Sequence, residues 1–292
     1  MKKKVVILGC ENSHANIFIN YTKQNEEFSH VEVVGVYSDE PETAQKLQED
    51  LGVPALKSYD ELVGQVDGVI VTARHGDRHY EYAKPYLAAG VPLFLDKPLM
   101  INEKDAAELK SFLQQNNIKV TGGSCLRFAP TVQEVKQAQA EQTAGRTVSG
   151  LVRAPLQTDP QYGGFYYYAQ HMVEMVMEVF GRHPNSVQVS VDKQGAQTVV
   201  FHYDDFNVIG LYTEEGSAEY YAARFSVSGS QGGQVPLTQL GTCFYQEFKD
   251  FVDLLDGGEM QESYDELFAP VFVMNAIERA AESGKVEPIL YA

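Results

Sequence analysis

The first 122 residues alternate short runs rich in β-branched residues with stretches of helical periodicity. This order predicts β-α-β crossovers, and therefore a parallel sheet with helices on both faces, which is the doubly wound Rossmann class of α/β fold. Proline at a first helical turn and glycine after a last turn delimit the helices. The predicted strands are Val5–Gly9, Val31–Tyr37, Gly68–Thr72, Leu93–Leu95 and Lys119–Thr121, and the predicted helices between them are Pro41–Asp50, Asp77–Ala89 and Ala106–Gln115.

The order of elements changes after residue 122, where several strand-like runs follow one another with only turn residues between them. Strands without crossover helices pair antiparallel, so we predict an α+β domain with a mainly antiparallel open sheet. We therefore expect a dinucleotide-binding domain over 1–122 and a substrate and oligomerisation domain over 123–292. The predicted elements of the second domain are helix Pro130–Glu141, strand Thr147–Ala154, helix Tyr168–Phe180, strands Val187–Val191, Thr198–Tyr203, Asn207–Tyr212 and Ala218–Ser228, and helices Tyr245–Leu255 and Tyr264–Ser283. The stretch Ser228–Gln234 is predicted to be a flexible surface loop.

The net charge of the chain argues against two classes of binding partner. The chain of 292 residues has 40 Asp and Glu against 23 Lys and Arg, which gives a formal net charge of −17. An acidic surface repels phosphate backbones and anionic lipids, so we expect neither a nucleic-acid nor a membrane partner. The apolar run Val5–Leu8 behind Lys2–Lys4 is shorter than a signal peptide needs, which favours a cytoplasmic protein. The three cysteines have no metal-type spacing and are expected to be reduced, buried thiols.

The turn after the first strand stands where a dinucleotide-binding domain places its glycine-rich loop. Such a loop needs glycine where the backbone bends tightly and approaches a pyrophosphate at a helix N-terminus. Gly9 meets this need, whereas Glu11 stands where a second glycine would allow close approach, so its carboxylate must turn away or bind ribose hydroxyls. Asn12 or Ser13 caps the following helix. The candidate cofactor contacts in this turn are Gly9, Glu11, Asn12, Ser13 and His14.

The end of the second strand is where an acidic residue usually binds the adenosine ribose. Here Ser38 and Asp39 are the candidates, and the alternative is that they only cap the helix beginning at Pro41. An acidic residue in this loop disfavours a 2′-phosphate. We therefore predict NAD as the cofactor, with NADP less favoured.

The strand Leu93–Leu95 runs directly into Asp96, Lys97 and Pro98. Ligands of doubly wound sheets bind at the carboxyl ends of the strands, so a lysine at this point can meet a substrate. A half-buried ammonium can bind a hydroxyl and, when desolvation lowers its pKa, take part in proton transfer. The alternative is a surface pair of Lys97 with Asp96 before a turn.

With this Asp-Lys-Pro sequence, the chain resembles the Gfo/Idh/MocA family of dehydrogenases, which carries a Glu/Asp-Lys-Pro motif after a strand of its Rossmann domain. Other segments that resemble the family are Val31–Pro54, Leu126–Pro130 and Gly163–Gly181. The resemblance implies a divergent NAD(P)-dependent oxidoreductase, similar to glucose-fructose oxidoreductase and inositol dehydrogenase. Such an enzyme moves hydride between the cofactor and a sugar, inositol or related polyhydroxy compound, and it forms a homodimer or homotetramer.

The resemblance also implies roles for single residues. Lys97 would contact the reacting hydroxyl, and His171 would be the general acid/base, although a helix histidine buried among apolar neighbours is the alternative. Tyr167 replaces the family's aspartate one turn before this histidine and could donate a hydrogen bond or shuttle a proton, while Glu174 keeps the acidic character of a second family position. The resemblance adds five residues to the predicted cofactor site: Thr72, His79, Asp96, Lys97 and Arg127.

The loop from Thr72 to His79 is longer than the family's. His75, Asp77 and His79 have a spacing that metal ligands use, but two histidines without a third close ligand make a poor site. We therefore predict that these histidines are ordinary loop residues and that the loop binds no metal ion.

These patterns predict an NAD-dependent oxidoreductase with Lys97 and His171 as its chemical pair and a small polyhydroxylated substrate. The aromatic run Phe165–Tyr168 could bind or stack on that substrate. The alternative is a non-catalytic sensor or binding protein that keeps the fold and cleft but has lost catalysis. A metal-assisted lyase or hydrolase that uses His75, His79 and His171 is a third and weaker alternative.

Overall fold

The computed structural model describes residues 2–213 and 219–292, and the chain divides into two compact units. The first unit comprises the chain up to Gly123 together with Phe244–Leu267, and the second comprises Ser124–Cys243 and Phe268–Ala292. The second unit is therefore not the continuous segment 123–292 that the sequence predicted, because residues 244–267 pack with the first. The dinucleotide-binding and substrate roles of the two domains remain predictions.

A parallel sheet forms the centre of the first unit. Its strands are β1 (Lys3–Leu8), β2 (Val31–Tyr37), β3 (Gly68–Val71), β4 (Leu93–Asp96) and β5 (Val120–Gly123), and the helices are α1 (Ser13–Gln24), α2 (Pro41–Leu51), α3 (Asp77–Ala83) and α4 (Glu103–Gln115). Within the described residues the strand order is β2-β1-β3-β4-β5, with every pair parallel. The predicted doubly wound α/β fold is confirmed.

The predicted helix Asp77–Ala89 is shorter in the structure. The α-helical part ends at Ala83, and the chain continues as a 3-10 helix over Lys84–Ala89. The physical reason is Pro85, which has no N–H to donate to the preceding turn.

The last two α-helices of the described residues are α7 (Leu240–Leu255) and α8 (Tyr264–Ser283), and part of α7 completes the core of the first unit. Phe248 and Phe251 are fully buried, and Phe248 stacks on Phe18 of α1 at 5.1 Å between ring centroids. A Cβ on Gly68 would lie 2.5 Å from the Leu255 side chain, so α7 packs directly on the start of β3. This apolar face explains why 244–267 joins the first unit.

The second unit is built on a mixed sheet. Its strands are β6 (Thr147–Pro155), β7 (Ser186–Val191), β8 (Gln197–His202), β9 (Asn207–Thr213), β10 (Tyr220–Ser226), β11 (Gly229–Val235) and β12 (Glu287–Pro288), with helices α5 (Pro130–Ala140) and α6 (Tyr166–Phe180). The described strands run in the order β11-β10-β6-β9-β8-β7-β12, and every pair is antiparallel except β6 with β9. The prediction of a mainly antiparallel sheet is confirmed. The predicted strand start at Ala218 lies outside the described residues.

The prediction that Ser228–Gln234 is a flexible loop is wrong, because Gly229–Val235 forms the edge strand β11. Backbone pairing with β10 needs no apolar side chains, and α5 packs against β11. Gly232 has φ +112°, and a Cβ there would lie 2.2 Å from the Ala222 carbonyl oxygen. Glycine is therefore required in this strand by close approach.

Cys10, Cys125 and Cys243 are buried and form no disulfide, as the sequence predicted. Across residues 2–213 and 219–292, no helix combines the length and apolarity that crossing a bilayer needs.

Candidate active site

The turn after β1 lies at the carboxyl edge of the parallel sheet. Gly9 has φ +79°, and a Cβ on it would lie 2.4 Å from the backbone nitrogen and Cα of Ala73. Only glycine fits, because the left-handed conformation and the close backbone both exclude a side chain. Asn12 accepts a hydrogen bond from the His14 N–H at 2.8 Å, which caps α1, and its amide donates to the Thr72 carbonyl. Of the two predicted caps, Asn12 is the N-cap, and Ser13 is the exposed first residue of the helix.

Glu11 turns away from the helix N-terminus and bridges two other strand ends. Its Oε2 accepts a hydrogen bond from the Ser38 hydroxyl at 2.9 Å, and its Oε1 accepts the Arg74 N–H at 2.8 Å. The carboxylate therefore links the ends of β1, β2 and β3. Glu11 stands where a glycine-rich turn would have its second glycine, and its carboxylate lies at the end of β2.

A cleft of about 700 Å³ opens beside the end of β2. Asp39 is exposed in it, accepts a hydrogen bond from the Tyr37 hydroxyl at 2.9 Å and pairs with Arg78 at 3.0 Å. Burial and the neighbouring Asp39 raise the pKa of Tyr37 to about 12, so the phenol is a donor at neutral pH. The cleft is lined by Tyr37, Ser38, Asp39, Pro41, Ala44, Gln45, Ala55, Leu56, Lys57 and Arg78.

Thr72 and His79 hold the loop after β3. The buried Thr72 hydroxyl donates to the Gly9 carbonyl at 2.8 Å, and the Nε2 of His79 lies 2.8 Å from the Ala73 carbonyl oxygen. Burial lowers the pKa of His79, so the ring is neutral near neutral pH. Both side chains thus fix the backbone around Gly9.

A buried ion pair lies at the end of β4. Asp96 is fully buried, with the Nδ1 of His14 at 2.5 Å from its Oδ2 and the Lys97 N–H donating to its Oδ1 at 2.7 Å. Burial raises the pKa of the Asp96 carboxyl, but the interactions with His14 and Lys97 outweigh this effect, so the pKa lies below its usual value. Lys97 itself is 9% exposed. Asp96 thus connects His14, in the first turn of α1, to Lys97.

The shifted pKa of Asp96 predicts a pH dependence of stability. An unfolded aspartate titrates near 3.8 and the folded carboxyl titrates lower, so its contribution is complete above about pH 5 and is lost as the pH falls through the folded pKa. Asp96→Asn should therefore be less stable than the wild type at about pH 6, and the difference should shrink toward about pH 3. Urea unfolding across this range measures the difference. A constant difference would contradict the assignment, and Asp67→Asn serves as a surface control.

The loop histidines contact the backbone of their own loop. The Asp77 N–H donates to the Nδ1 of His75 at 3.3 Å, while His79 is buried in the contacts given above. In the parts of the chain that the structure describes, no group of three or more His, Cys, Asp or Glu could hold a metal ion.

His171 lies on α6 in the second unit and is 6% exposed. Its Nδ1 is 2.7 Å from the hydroxyl of Ser124, which is fully buried. The ring of Tyr168 packs edge-on against the imidazole at 4.8 Å between centroids. Sequence reasoning missed Ser124, because a serine after two glycines has the pattern of a linker rather than of a histidine partner.

Glu174 is buried on the same helix and is held in an ion-pair cluster. It accepts a hydrogen bond from the Gln170 amide at 3.0 Å and pairs with Arg182 at 2.8 Å. Arg182 also pairs with Glu178 at 2.7 Å, and its guanidinium holds the pKa of Glu178 below the usual value against the effect of burial. These contacts assign Glu174 a structural role, and its catalytic role remains a prediction. Sequence reasoning also missed Arg182, which is four residues after Glu178.

Two other predicted residues lie in the second unit. Arg127 is 3% exposed, and its guanidinium lies over the Phe128 ring at 4.4 Å from the centroid. Tyr167 packs against Tyr162 at 5.3 Å and against Tyr168 at 5.4 Å between ring centroids. The predicted cofactor role of Arg127 and the predicted proton-shuttle role of Tyr167 remain predictions.

Comparison with known proteins finds a family whose members resemble the first part of this chain. Residues 3–124 match the model of GFO_IDH_MocA, an oxidoreductase family with an NAD-binding Rossmann fold. The predicted cofactor, NAD, is the one this description names.

Two curated proteins and one solved structure illustrate the similarity. The uncharacterized oxidoreductase YhhX of Escherichia coli K12 is 29% identical over 42% of this chain and 38% of its own length. UDP-N-acetylglucosamine 3-dehydrogenase of Acidithiobacillus ferrooxidans is 29% identical over 37% of this chain and 34% of its own length. The chain thus spans about a third of the length of these relatives.

The solved structure of scyllo-inositol dehydrogenase from Lactobacillus casei, with bound NAD(H) and scyllo-inositol, has a TM-score of 0.84 at 14% identity and covers 99% of both chains. At this identity the likeness shows a shared fold. The match over residues 3–124, which includes the Asp-Lys-Pro sequence at the end of β4, shows that this part of the chain is similar to the Gfo/Idh/MocA family of oxidoreductases.

Proposed function

We propose that this protein is an NAD-dependent oxidoreductase that moves hydride between the cofactor and a small polyhydroxy compound of the sugar or inositol class. The observation that carries the proposal is Lys97, which follows β4 at the carboxyl edge of a parallel sheet and is held beside the buried pair of Asp96 with His14. Ligands of such sheets bind at this edge.

The described residues of the first unit fit a dinucleotide. Gly9 leaves room for a close backbone approach at the N-terminus of α1, where the helix N–H groups favour an anion. The cleft at the end of β2 offers Ser38 and Asp39 at the place where ribose hydroxyls bind, and Ser38 donates to the carboxylate of Glu11. When bound, NAD would take up or deliver the hydride.

Lys97 and His171 have complementary roles in the proposed reaction. Lys97 is 9% exposed, and its ammonium group can donate a hydrogen bond to a substrate hydroxyl and stabilise negative charge on that oxygen. His171 supplies an imidazole, the side-chain group best suited to exchange a proton near neutral pH, for transfer of the hydroxyl proton. Lys97 belongs to the first unit and His171 to the second.

An aromatic group around His171 supports the substrate class. Tyr168 and Tyr220 pack against the imidazole with centroid distances of 4.8 and 6.3 Å, and Phe165 packs against Tyr212 at 5.7 Å. Aromatic faces bury the C–H face of a sugar or cyclitol ring, while phenol groups can bind its hydroxyls.

A polyol screen tests the function. NAD and a panel of inositols, sugars and sugar nucleotides are incubated with the protein, and reduced nicotinamide is followed by absorbance. We expect turnover of at least one compound, and Lys97→Met should bind NADH but not turn over, while Lys104→Met on the exposed face of α4 should behave as the wild type. NADH binding without hydride transfer to any compound would instead support a non-catalytic binding protein.

Removing the charge of Glu11 should change the choice of cofactor. Glu11→Gln keeps an oxygen for the Arg74 N–H and an amide for Ser38, so the loop should keep its shape while the repulsion of a 2′-phosphate falls. We expect the ratio of the NADPH and NADH dissociation constants to move toward NADPH by about tenfold, or ~1.4 kcal/mol. Titration with both cofactors measures it.

Glu42→Gln is the matched control, because Glu42 is an exposed residue in the first turn of α2. An equal change of this ratio in Glu11→Gln and Glu42→Gln would mean that the net charge of the protein, and not the position of Glu11, sets the preference between NADH and NADPH.

We also propose that the protein is a homodimer or homotetramer. The sheet of the second unit exposes apolar side chains on neighbouring strands, among them Val148 on β6, Ile209 on β9 and Phe225 on β10. Burying such a surface against a second copy would remove it from water. Sedimentation analysis measures the assembly, and a monomer at all concentrations would contradict it.

A further inference from the structure

We infer that Ser124 is a positioning residue for His171, which aims the imidazole through Nδ1 without adding a negative charge beside it. The inference rests on the proposed function and deepens it. The juxtaposition that carries it is the contact of 2.7 Å between the Ser124 Oγ and the His171 Nδ1, between two buried side chains.

The fold holds Ser124 independently of the histidine. Ser124 is the N-cap of the 3-10 turn Cys125–Phe128, and its Oγ accepts the Leu126 N–H at 3.3 Å. Helix α6 packs on this turn. The hydroxyl is therefore a fixed point against which the imidazole is oriented, and a rotated ring would lose the hydrogen bond in a buried place.

The chemistry of a hydroxyl differs from that of the carboxylate that commonly orients a catalytic histidine. A carboxylate only accepts, so it requires a proton on Nδ1 and stabilises the imidazolium, which raises the pKa of the ring. A serine hydroxyl both donates and accepts. It can bind Nδ1 with or without a proton, so His171 is oriented in both protonation states.

Titratable groups from three elements lie on or near the helix face and ring of His171. On α6 these are Tyr168 against the ring and Glu174 three residues further along, whose carboxylate pairs with Arg182 at 2.8 Å. Tyr220 of β10 also packs against the ring, and Cys125 of the 3-10 turn interacts electrostatically with both phenols. Burial raises the pKa of Tyr168 and of Tyr220, so both phenols are neutral at neutral pH. Ser124 is a polar partner of the ring that contributes no charge.

Three variants at one position test the role. Ser124→Ala should lower kcat by about tenfold to a hundredfold with little change in the KM for NAD, because a misaligned proton acceptor costs rate. Ser124→Thr, which keeps the hydroxyl, should restore most of this loss. Ser124→Asp should move the acidic limb of the kcat/KM profile to higher pH, because a carboxylate favours the imidazolium and delays the basic form.

Ser149→Ala is the matched control, because it also removes a serine hydroxyl that makes a hydrogen bond. The Ser149 hydroxyl on β6 donates to the Asn207 carbonyl on β9 at 3.0 Å. This variant should leave the pH profile unchanged. Thermal melting checks that each variant is folded. An unchanged kcat and pH profile in folded Ser124→Ala would overturn the inference.

A measurement without turnover separates this inference from the proposed function. Nitrogen NMR of labelled histidine follows the Nδ1 and Nε2 shifts of His171 through a pH titration, and the spectrum of His171→Asn identifies its signals among the seven histidines. Ser124→Ala should shift the Nδ1 resonance and change the tautomer ratio. A wild type without turnover but with these shifts would reject the enzyme and keep the contact, whereas identical spectra of wild type and Ser124→Ala would reject the contact itself.

Discussion

Replacing His171 by asparagine is expected to lower kcat for the proposed hydride transfer by about 10²- to 10⁴-fold, the usual worth of general acid-base catalysis. Asparagine retains polar atoms that can meet the Ser124 hydroxyl, so the buried surroundings of α6 keep a hydrogen-bonding partner. It cannot exchange a proton near neutral pH. Steady-state rates with saturating NAD and substrate measure the effect, and NADH titration should show that cofactor binding persists.

His183→Asn is a suitable control for this prediction. His183 lies outside the helices of the second unit, with its ring 4.9 Å from that of Tyr291. Its replacement should leave kcat near the wild-type value. Equal activity of His171→Asn and the wild type would show that His171 is a buried helix residue without a chemical role.

Replacing Gly9 by alanine is expected to give the largest loss of stability and also to abolish cofactor binding. The left-handed conformation at φ +79° costs a non-glycine residue about 1–2 kcal/mol, and forcing a methyl group into a packed site costs about 1–3 kcal/mol more. The added Cβ would lie 2.4 Å from the backbone of Ala73, which cannot move as a side-chain tip would. We therefore expect the free energy of unfolding to fall by about 2–5 kcal/mol in urea titrations.

Gly52→Ala separates the two causes. Gly52 ends α2 with φ +66°, and nothing lies within 4 Å of the position of its Cβ. This variant should lose only the conformational part, about 1–2 kcal/mol, and should bind NADH normally. Equal losses in the two variants would show that the contact with Ala73 does not limit the turn.

Much of the fold follows from periodicity that the sequence displays openly. Buried parallel strands are continuous apolar runs, and the helices between them begin at capping residues or proline, as at Asn102 and Pro41. Contacts between elements that are far apart in the chain determine the remaining parts of the fold. The strand β11 is recruited by pairing with β10, although Gly229–Val235 has little β propensity, and α7 joins the first unit because its apolar face covers β3.

The candidate site was less accessible to sequence reasoning, because its key contacts join residues far apart in the chain. The positions of Gly9 and Lys97 at strand ends were predicted from the fold. The direction of the Glu11 carboxylate toward Ser38 and the contact of Ser124 with His171 depend on backbone geometry that no local pattern encodes.

The central claim, that the chain binds NAD at the turn after β1, is tested most directly by titrating the purified protein with NADH and NADPH. Nicotinamide fluorescence can be followed cleanly, because the chain contains no tryptophan. We predict saturable binding with NADH tighter than NADPH, and about 2.7 kcal/mol of added stability at a cofactor concentration of about 100 times Kd. Absence of binding by either cofactor, in a folded and monodisperse preparation, would contradict the account.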